Sequence, residues 1–257
     1  MRFLKGHGTG NDFVILPDLD DQLTLTPSLV AALCDRRRGI GGDGVLRVVR
    51  HQGDGPRWFM DYWNADGSLA EMCGNGVRVF ARYLASAGLA AGTVPIMTRA
   101  GVVRAVIGDE TIAVDMPTPK VYGASVASVG GLNLAGAAVD VGNPHLVCTL
   151  PDSVPLASLD LTRPPAVDPD AFPSGVNVEF VHTIAPGHVA MRVYERGSTE
   201  TLSCGTGACA VAAVVSSSAG VVLVDVPGGQ LTVTFSGGDC VLAGPAVLVA
   251  EGTVALA

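Results

Sequence analysis

The chain is poor in lysine and has an excess of acidic residues, and both features exclude classes of function. Lysine occurs only at positions 5 and 120 of the 257 residues. Neither lysine stands in a setting that suggests a Schiff base, so pyridoxal phosphate chemistry is not expected. The formal net charge of −8 argues against nucleic acid as a partner, because binding to phosphate groups needs a basic surface. No Gly-x-x-x-x-Gly-Lys-Ser/Thr motif is present, so a nucleotide phosphate site is not expected either.

Long apolar runs and paired cysteines are also missing. No stretch approaches the roughly 20 uninterrupted apolar residues of a membrane-spanning helix. The opening sequence MRFLKGHGTGND lacks the apolar core of a signal peptide. None of the six cysteines has Cys-x-x-Cys spacing, so neither a zinc site nor a disulfide framework is expected. We therefore expect a cytoplasmic protein with no membrane partner, no metal and no cofactor.

What the chain does contain is a repeated pattern. The sequence Cys73-Gly-Asn-Gly is followed 131 positions later by Cys204-Gly-Thr-Gly. Three further pairs occur in the same order at nearly the same spacing: Gly10-Asn11 with Gly142-Asn143, Gly101 with Gly229, and Gly108-Asp109 with Gly238-Asp239. This agreement predicts two similar domains. The boundary is expected at residue 117, where two prolines interrupt the pattern.

The two predicted domains comprise residues 1–117 and 118–257. An alternative is that a final strand near Ala246–Ala255 crosses back to the first domain. Short strands dominate the pattern, and those predicted are Pro56–Asn64, Gly101–Ile107, Thr111–Met116, Val176–Ile184, His188–Tyr194, Val221–Val226 and Gln230–Phe235. The predicted class is α+β, with two pseudo-symmetric, sheet-rich domains that are each wrapped around a central helix.

Three helices are predicted, at Pro27–Arg38, Asn75–Ala87 and Thr206–Ser218. In the second helix, apolar residues at helical spacing form a stripe that is expected to be buried. Arg78 and Arg82 are expected to point away from this stripe. The third helix is apolar on all sides, which predicts burial all round.

A cysteine precedes each of the last two helices. Backbone N–H groups at a helix start have no partner within the helix and carry partial positive charge. They stabilise a neighbouring thiolate and can bind a carboxylate. One Cys-Gly-x-Gly element is weak evidence, since a thiol at this place is often only packed. Two such elements, one in each domain, predict two thiols on opposite faces of the carbon that bears a bound carboxylate.

This arrangement suits the inversion of a stereocentre. One thiolate removes the α-proton of an amino acid, while the opposing thiol delivers a proton to the other face. The helix dipoles would stabilise the carbanion-like charge in a water-poor pocket. The alternative is that the two thiols are core residues placed there by coincidence. The other cysteines are expected to be inert core residues: Cys34, Cys148, Cys209 and Cys240.

The motifs of the chain resemble those of the diaminopimelate epimerase family from end to end. They are KGHGTGNDFVI, GIGGDGV, NADGSLAEMCGNG, GNPH, ERGSTETLSCGTGACA and VPGGQL. The resemblance implies two pseudo-symmetric domains and a cofactor-independent reaction. In that reaction LL- and meso-diaminopimelate are interconverted, a step of lysine and peptidoglycan precursor biosynthesis. The resemblance also implies a homodimer, and it makes Cys73 and Cys204 the catalytic acid and base.

The resemblance assigns substrate contacts one position at a time. Gly74 and Asn75, and likewise Gly205 and Thr206, match the backbone donors that hold the reacting carboxylate. Glu195 matches the group that receives the α-ammonium. The residues that match those around the distal end of the substrate are Asn11, Asn64, Asn143, Asn177 and Arg196. A second carboxylate on the substrate requires a guanidinium and amide donors, which agrees with this set, although asparagine is also a common turn residue.

Several points stay open in the sequence. His145 either helps to set the protonation state of the site or is a structural histidine. Thr199 stands where the family usually has glycine, so the shape of its loop is expected to differ. Another cofactor-independent racemase of this fold, acting on histidine or proline, is an alternative, but the proline type carries Cys-Gly-His where this chain has Cys73-Gly-Asn. A non-catalytic amino-acid-binding protein is a further alternative, but such a protein would have no reason to keep both cysteines.

Overall fold

The computed structural model of the protein describes residues 1–216 and 220–255. The chain divides into two compact units: unit 1 comprises Met1–Val114 with Gly244–Ala257, and unit 2 comprises Asp115–Ala243. Strands dominate both units, and the described residues contain three α-helices. The predicted α+β, sheet-rich class is therefore confirmed. None of the helices in the described ranges is both long and apolar enough to cross a membrane.

Unit 1 is built on strands that pair around the helix that follows Cys73. Its elements up to the boundary, which falls within the last of them, are β1 Arg2–Gly8, β2 Asn11–Pro17, α1 Pro27–Cys34, β3 Gly44–Arg50, β4 Trp58–Asn64, α2 Gly74–Ser86, β5 Thr93–Thr98, β6 Gly101–Ile107 and β7 Thr111–Met116. Strand β2 runs antiparallel to β1 and parallel to β3. Val77, Phe80 and Leu84 of α2 are fully buried, as the apolar stripe predicts.

Unit 2 is also rich in strands, and its helix follows Cys204. Its elements are β8 Lys120–Val129, β9 Leu132–Asp140, β10 Pro144–Thr149, β11 Ala166–Val167, β12 Asn177–Ala185, β13 His188–Tyr194, β14 Glu200–Thr201, α3 Gly205–Val215, β15 Gly220–Val226, β16 Gly229–Ser236 and β17 Asp239–Pro245. The predicted strands at these positions are confirmed, and β12–β13 and β15–β16 pair antiparallel as two hairpins.

Helices α1 and α3 are shorter than predicted. Helix α1 ends at Cys34 and not at Arg38, because the carboxylate of Asp35 accepts the N–H groups of Arg37 and Arg38 in a turn. Helix α3 ends at Val215, and the last two residues of the predicted helix, 217 and 218, lie outside the described residues. Most of α3 is buried through residue 212, and residues 213–215 are half-buried, so the prediction of burial on all sides is wrong for its last turn.

The last strand, β18 (Val247–Thr253), belongs to unit 1. It pairs antiparallel with β1, with Arg2 opposite Thr253. Gly244–Ala257 therefore belongs to unit 1. The predicted second domain, residues 118–257, included this segment, with the return of the last strand to the first domain as an alternative. The physical reason is that one edge of β1 is paired with β2, and β18 satisfies the backbone groups of its other edge.

Arg78 of α2 is fully buried, and the prediction that it points away from the core is wrong. Its Nη2 donates a hydrogen bond to Oγ1 of Thr9 at 3.1 Å. Thr9 has a φ of 49°, a conformation that is unusual for a β-branched residue. Strands contact α2 on several sides. A prediction from the apolar stripe alone therefore underestimates how much of the helix surface is buried. The buried guanidinium supports the turn between β1 and β2 that leads to Asn11.

Candidate active site

Cys73 caps the N-terminus of α2. Its backbone is extended, with a φ of −143° and a ψ of 121°. Its Sγ accepts the N–H of Gly76 at 3.4 Å, which is the bond that a serine or aspartate makes at this position in other helices. The sulfur therefore lies beside the positive end of the helix.

Asn11 contacts the Cys73 thiol and is itself oriented by a carboxylate. The Cys73 Sγ donates to Oδ1 of Asn11 at 3.6 Å, and Nδ2 of Asn75 donates to the same oxygen at 3.2 Å. The Nδ2 of Asn11 donates to Asp43 at 2.8 Å, and Arg36 holds the other oxygen of that carboxylate at 2.8 Å. Three predicted site residues thus come together, and Asp43, which sequence reasoning missed, determines which end of the Asn11 amide faces the thiol.

Asn64 has the contacts of a turn residue. Its Nδ2 donates to Oγ of Ser68 at 3.0 Å, and its N–H donates to the Ser68 carbonyl at 2.9 Å. Gly67 supplies the positive φ of 85° in this turn. Among the described residues Asn64 shares no hydrogen bond with Cys73, and its side-chain oxygen is the group left to accept a bond from a ligand.

Cys204 caps α3 in the same way as Cys73 caps α2. Its φ is −121° and its ψ is 117°, and its Sγ accepts the N–H of Gly207 at 3.4 Å. The Oγ1 of Thr206 lies 3.5 Å from the sulfur. Burial raises the pKa of the Cys204 thiol well above its usual value, and the carboxylates of Glu195 and Glu179 raise that pKa further. These surroundings favour the protonated thiol.

His145 is fully buried between two polar side chains. Its Nδ1 lies 2.7 Å from Oε1 of Glu179, and its Nε2 lies 3.0 Å from Oδ1 of Asn143. Strand β10 runs parallel to β12 with His145 opposite Asn177, two residues before Glu179. Glu179 was not identified from the sequence. A carboxylate between the apolar residues Val178 and Phe180 of a predicted strand is a signal that could have indicated it.

Glu195 follows β13 in a tight loop. Its N–H donates to the Thr199 carbonyl at 3.0 Å, and its carboxylate accepts a hydrogen bond from Oγ1 of Thr201 at 2.5 Å. The positive φ of this loop, 74°, is at Gly197. Thr199 keeps an ordinary backbone conformation, because the left-handed position that requires glycine lies two residues earlier.

Arg196 and Asn177 lie together at the start of β12. The Arg196 N–H donates to Oδ1 of Asn177 at 2.8 Å, which leaves the NH2 group of that amide as a donor. Among the residues that the structure describes, the exposed guanidinium makes one hydrogen bond, from Nη1 to the Ser174 carbonyl at 3.2 Å. Its remaining N–H groups are available to an anion.

Gly205 lies buried in the first turn of α3, beside Cys204.

The first turns of α2 and α3 differ in what lies beneath them. A Cβ atom on Gly76 would lie 3.4 Å from the Leu46 side chain and 3.6 Å from Phe13, which are ordinary contacts. A Cβ atom on Gly207 would lie 2.6 Å from Oε1 of Glu179, which is too close. The helix of unit 1 therefore starts over apolar side chains, and that of unit 2 starts over a buried carboxyl group.

This difference predicts opposite effects for two matched substitutions. Gly207→Ala should destabilise the protein by about 1–3 kcal/mol, because the buried Glu179 must move. Gly76→Ala should be neutral or stabilise by up to about 1 kcal/mol, because alanine favours the helix and meets no obstacle. Urea unfolding of both variants beside the wild type measures the difference. Equal losses of unfolding free energy would contradict this account of the two helix starts.

None of the six cysteines, all of which the structure describes, forms a disulfide bond. The four that were expected to be inert are buried, and burial raises the pKa of Cys34 to about 11 and that of Cys148 to about 12. Across residues 1–216 and 220–255, no group of three or more His, Cys, Asp or Glu side chains is arranged to hold a metal ion.

Comparison with known proteins identifies the family. The family model of diaminopimelate epimerase matches residues 3–122 and 137–249. The diaminopimelate epimerase of Thermobifida fusca is 51% identical over 272 residues, which cover 100% of this chain and 98% of that protein. The solved structure of a Bacillus anthracis phenazine biosynthesis protein of the PhzF family has a TM-score of 0.71 at 17% identity, with 100% of this chain and 99% of that chain covered.

A probable proline racemase from Agrobacterium radiobacter, solved with bound carbonate, has a TM-score of 0.67 at 14% identity and covers 100% of this chain and 93% of its own. At such identities the two solved structures show a shared fold alone. The family model and the half-identical relative go further, because each spans most of the chain. This chain belongs to the diaminopimelate epimerase family.

Proposed function

We propose that this protein interconverts LL- and meso-diaminopimelate by moving the α-proton between the thiols of Cys73 and Cys204. The observation that carries the proposal is the matched capping of two helices. In each unit a cysteine Sγ accepts the N–H of the third residue after it at 3.4 Å. A sulfur in this position can become a thiolate, and the same helix end can bind the carboxylate of an amino acid. The reaction is a step of lysine and peptidoglycan precursor biosynthesis.

The proposed reaction consists of two proton transfers. A thiolate removes the α-proton from one face of the substrate, and the opposing thiol donates its proton to the other face. The charge that develops spreads into the carboxylate, which accepts hydrogen bonds from the N–H groups of Gly74, Asn75, Gly205 and Thr206. Configuration inverts, and the two sulfurs exchange their protonation states. No electrons are gained or lost, so the reaction needs no oxidant or reductant.

Glu195 links substrate binding to the reactivity of Cys204. In the protein without substrate, the Glu195 carboxylate contributes to the raised pKa of the Cys204 thiol. We propose that Glu195 receives the α-ammonium of the substrate. The positive charge then offsets the effect of the carboxylate and lowers the pKa of Cys204, so the thiol releases its proton more readily.

The distal end of the substrate is proposed to meet the side chains of Arg196 and the asparagines Asn11, Asn64, Asn143 and Asn177. Asn177 supports this assignment, because its bond from the Arg196 N–H leaves its NH2 group as a donor to a carboxylate. The guanidinium of Arg196 retains N–H groups beyond its bond to the Ser174 carbonyl. A guanidinium binds a carboxylate through charge-assisted hydrogen bonds, which are stronger than those between neutral groups.

Arg196→Ala should raise the KM for diaminopimelate about tenfold or more, because a charge-assisted hydrogen bond to the distal carboxylate is lost. The value of kcat should change less, since this contact is made equally in the ground and transition states. Steady-state kinetics measure both constants, and Arg163→Ala, which removes another exposed arginine of unit 2, is the matched control. An unchanged KM in Arg196→Ala would contradict the assignment.

The reaction itself is tested in D2O with LL-diaminopimelate as substrate. The proposal expects the meso isomer, detected by chiral chromatography, with deuterium at the inverted α-carbon. L-histidine and L-proline in parallel test the alternative racemases, and deuterium incorporation into either one alone would contradict the proposed substrate. Binding of diaminopimelate without exchange or inversion would instead indicate a non-catalytic binding protein.

We also propose that the protein is a cytoplasmic homodimer, as the family resemblance implies. The absence of disulfide bonds among its six cysteines supports a reducing compartment. In unit 2 the hairpin of β8 and β9 exposes large apolar side chains that a second copy could cover: Val121, Tyr122, Val126 and Leu132. Light scattering on the purified protein tests the oligomeric state, and a monomer would contradict the proposed dimer.

A further inference from the structure

Glu179 is a fully buried acid that the proposed proton transfer does not use. Its Oε1 lies 2.7 Å from Nδ1 of His145, and its Oε2 has no hydrogen-bond partner among the described residues. Neither side chain of this pair is exposed to solvent. An ionisable group buried in this way costs free energy, so its retention calls for a structural or functional reason.

The pair continues to a third side chain, which the proposed function assigns to substrate binding. The Nε2 of His145 lies 3.0 Å from Oδ1 of Asn143, and Asn143 is half-buried. An amide oxygen only accepts hydrogen bonds, so Nε2 must carry a proton. The Nδ1 atom then either accepts a hydrogen bond from a protonated Glu179 or donates a hydrogen bond to the Glu179 carboxylate. In both cases one proton is held between Glu179 and His145.

We infer that Glu179 is a positioning residue for the substrate donor Asn143. Glu179 anchors Nδ1 of His145, which keeps the proton on Nε2 and holds the imidazole ring in place. His145 in turn fixes the oxygen of the Asn143 amide, so that the NH2 group of Asn143 is presented as a donor to a carboxylate. This inference rests on the proposed function, in which Asn143 binds the distal end of diaminopimelate.

The surroundings of Glu179 hold its carboxyl group in one place. The group lies under the first turn of α3, where a Cβ atom on Gly207 would come within 2.6 Å of Oε1 and 3.3 Å of Cδ. Glycine at this position provides the space that the carboxyl group occupies. The corresponding glycine of unit 1, Gly76, faces Leu46 and Phe13, so the anchored pair is a feature of unit 2.

Two substitutions of Glu179 and one neighbouring control test the inference. In Glu179→Gln the amide NH2 can donate to Nδ1, so the ring stays anchored and the KM for diaminopimelate should stay within about threefold of the wild type. In Glu179→Leu the Nδ1 contact is lost, and the KM should rise about tenfold, as expected for one misaligned hydrogen bond to a charged group. Phe180→Leu places leucine at the next buried position of β12 and should leave the KM unchanged.

A spectroscopic measurement separates this inference from the proposed reaction. Histidine side-chain ¹⁵N NMR of the full chain, with the His145 signal assigned by its loss in His145→Gln, reports which ring nitrogen carries the proton. Nε2 should be protonated in the wild type and in Glu179→Gln, and the His145 signals should shift or broaden in Glu179→Leu. If the wild type does not turn over diaminopimelate, the proposed function fails, and these spectra still decide the role of Glu179.

Two results would overturn the positioning role while the proposed function stands. The first is that the wild type is active and Glu179→Leu has the same KM for diaminopimelate as Phe180→Leu. The other is a His145 spectrum that does not change when Glu179 is replaced by leucine. A rise in KM together with an altered His145 spectrum in Glu179→Leu, and with neither in Glu179→Gln, supports the inference.

Discussion

Alanine in place of either Cys73 or Cys204 should lower the rate of conversion of LL- to meso-diaminopimelate by about 10³-fold, within the range for the loss of a general acid or base. Both thiols are needed in every turnover, because one accepts the α-proton and the other donates a proton to the opposite face. The two variants should therefore be impaired alike in both directions. Chiral chromatography of the product in D2O measures the loss.

The matched control for this experiment lies on the same helix as Cys204. Cys209→Ala removes another buried thiol of α3 and should retain the wild-type rate, since Cys209 lies beyond the first turn of the helix. A variant with one remaining thiol can still exchange the α-proton on the face that this thiol reaches. Deuterium without inversion is thus the expected residual activity, and full inversion by either single variant would exclude the two-base mechanism.

The placement of both cysteines could be predicted because it depends on local sequence alone. Two glycines and a cysteine directly before an apolar, helix-forming run define a helix start, and the cap geometry follows from the extended backbone of Cys73 and Cys204. The hairpin around Pro186-Gly187 was predictable for the same reason, since the turn residues and the alternating strands are neighbours in the chain.

The residues that support the site could not be predicted, because their roles depend on contacts between distant segments. Arg78 was expected on the exposed side of α2, but strands from several parts of unit 1 cover that side. Asp43 and Asn11 are 32 positions apart, and Glu179 and His145 are 34 positions apart. No local pattern indicates that these side chains meet.

A cluster of opposite charges in unit 1 shows how strongly such distant contacts can affect the site. Asp61 of β4 is 3% exposed, and it accepts hydrogen bonds from Arg47 at 2.7 Å and from Arg99. Arg99 also donates to the Ala70 carbonyl at 3.1 Å, three residues before Cys73. The cluster therefore ties the chain segment that enters α2 to strands β3 and β4.

Asp61→Ala should destabilise the protein by about 3–5 kcal/mol, because two largely buried guanidinium groups lose a shared carboxylate. The matched control is Glu251→Ala, which breaks the exposed ion pair between β18 and Arg2 of β1 and should cost at most about 1 kcal/mol. Urea unfolding measures both losses. Asp61→Ala should also lower kcat, since Arg99 would hold the segment before Cys73 less firmly. Equal destabilisation in the two variants would show that the buried cluster contributes no more than a surface pair.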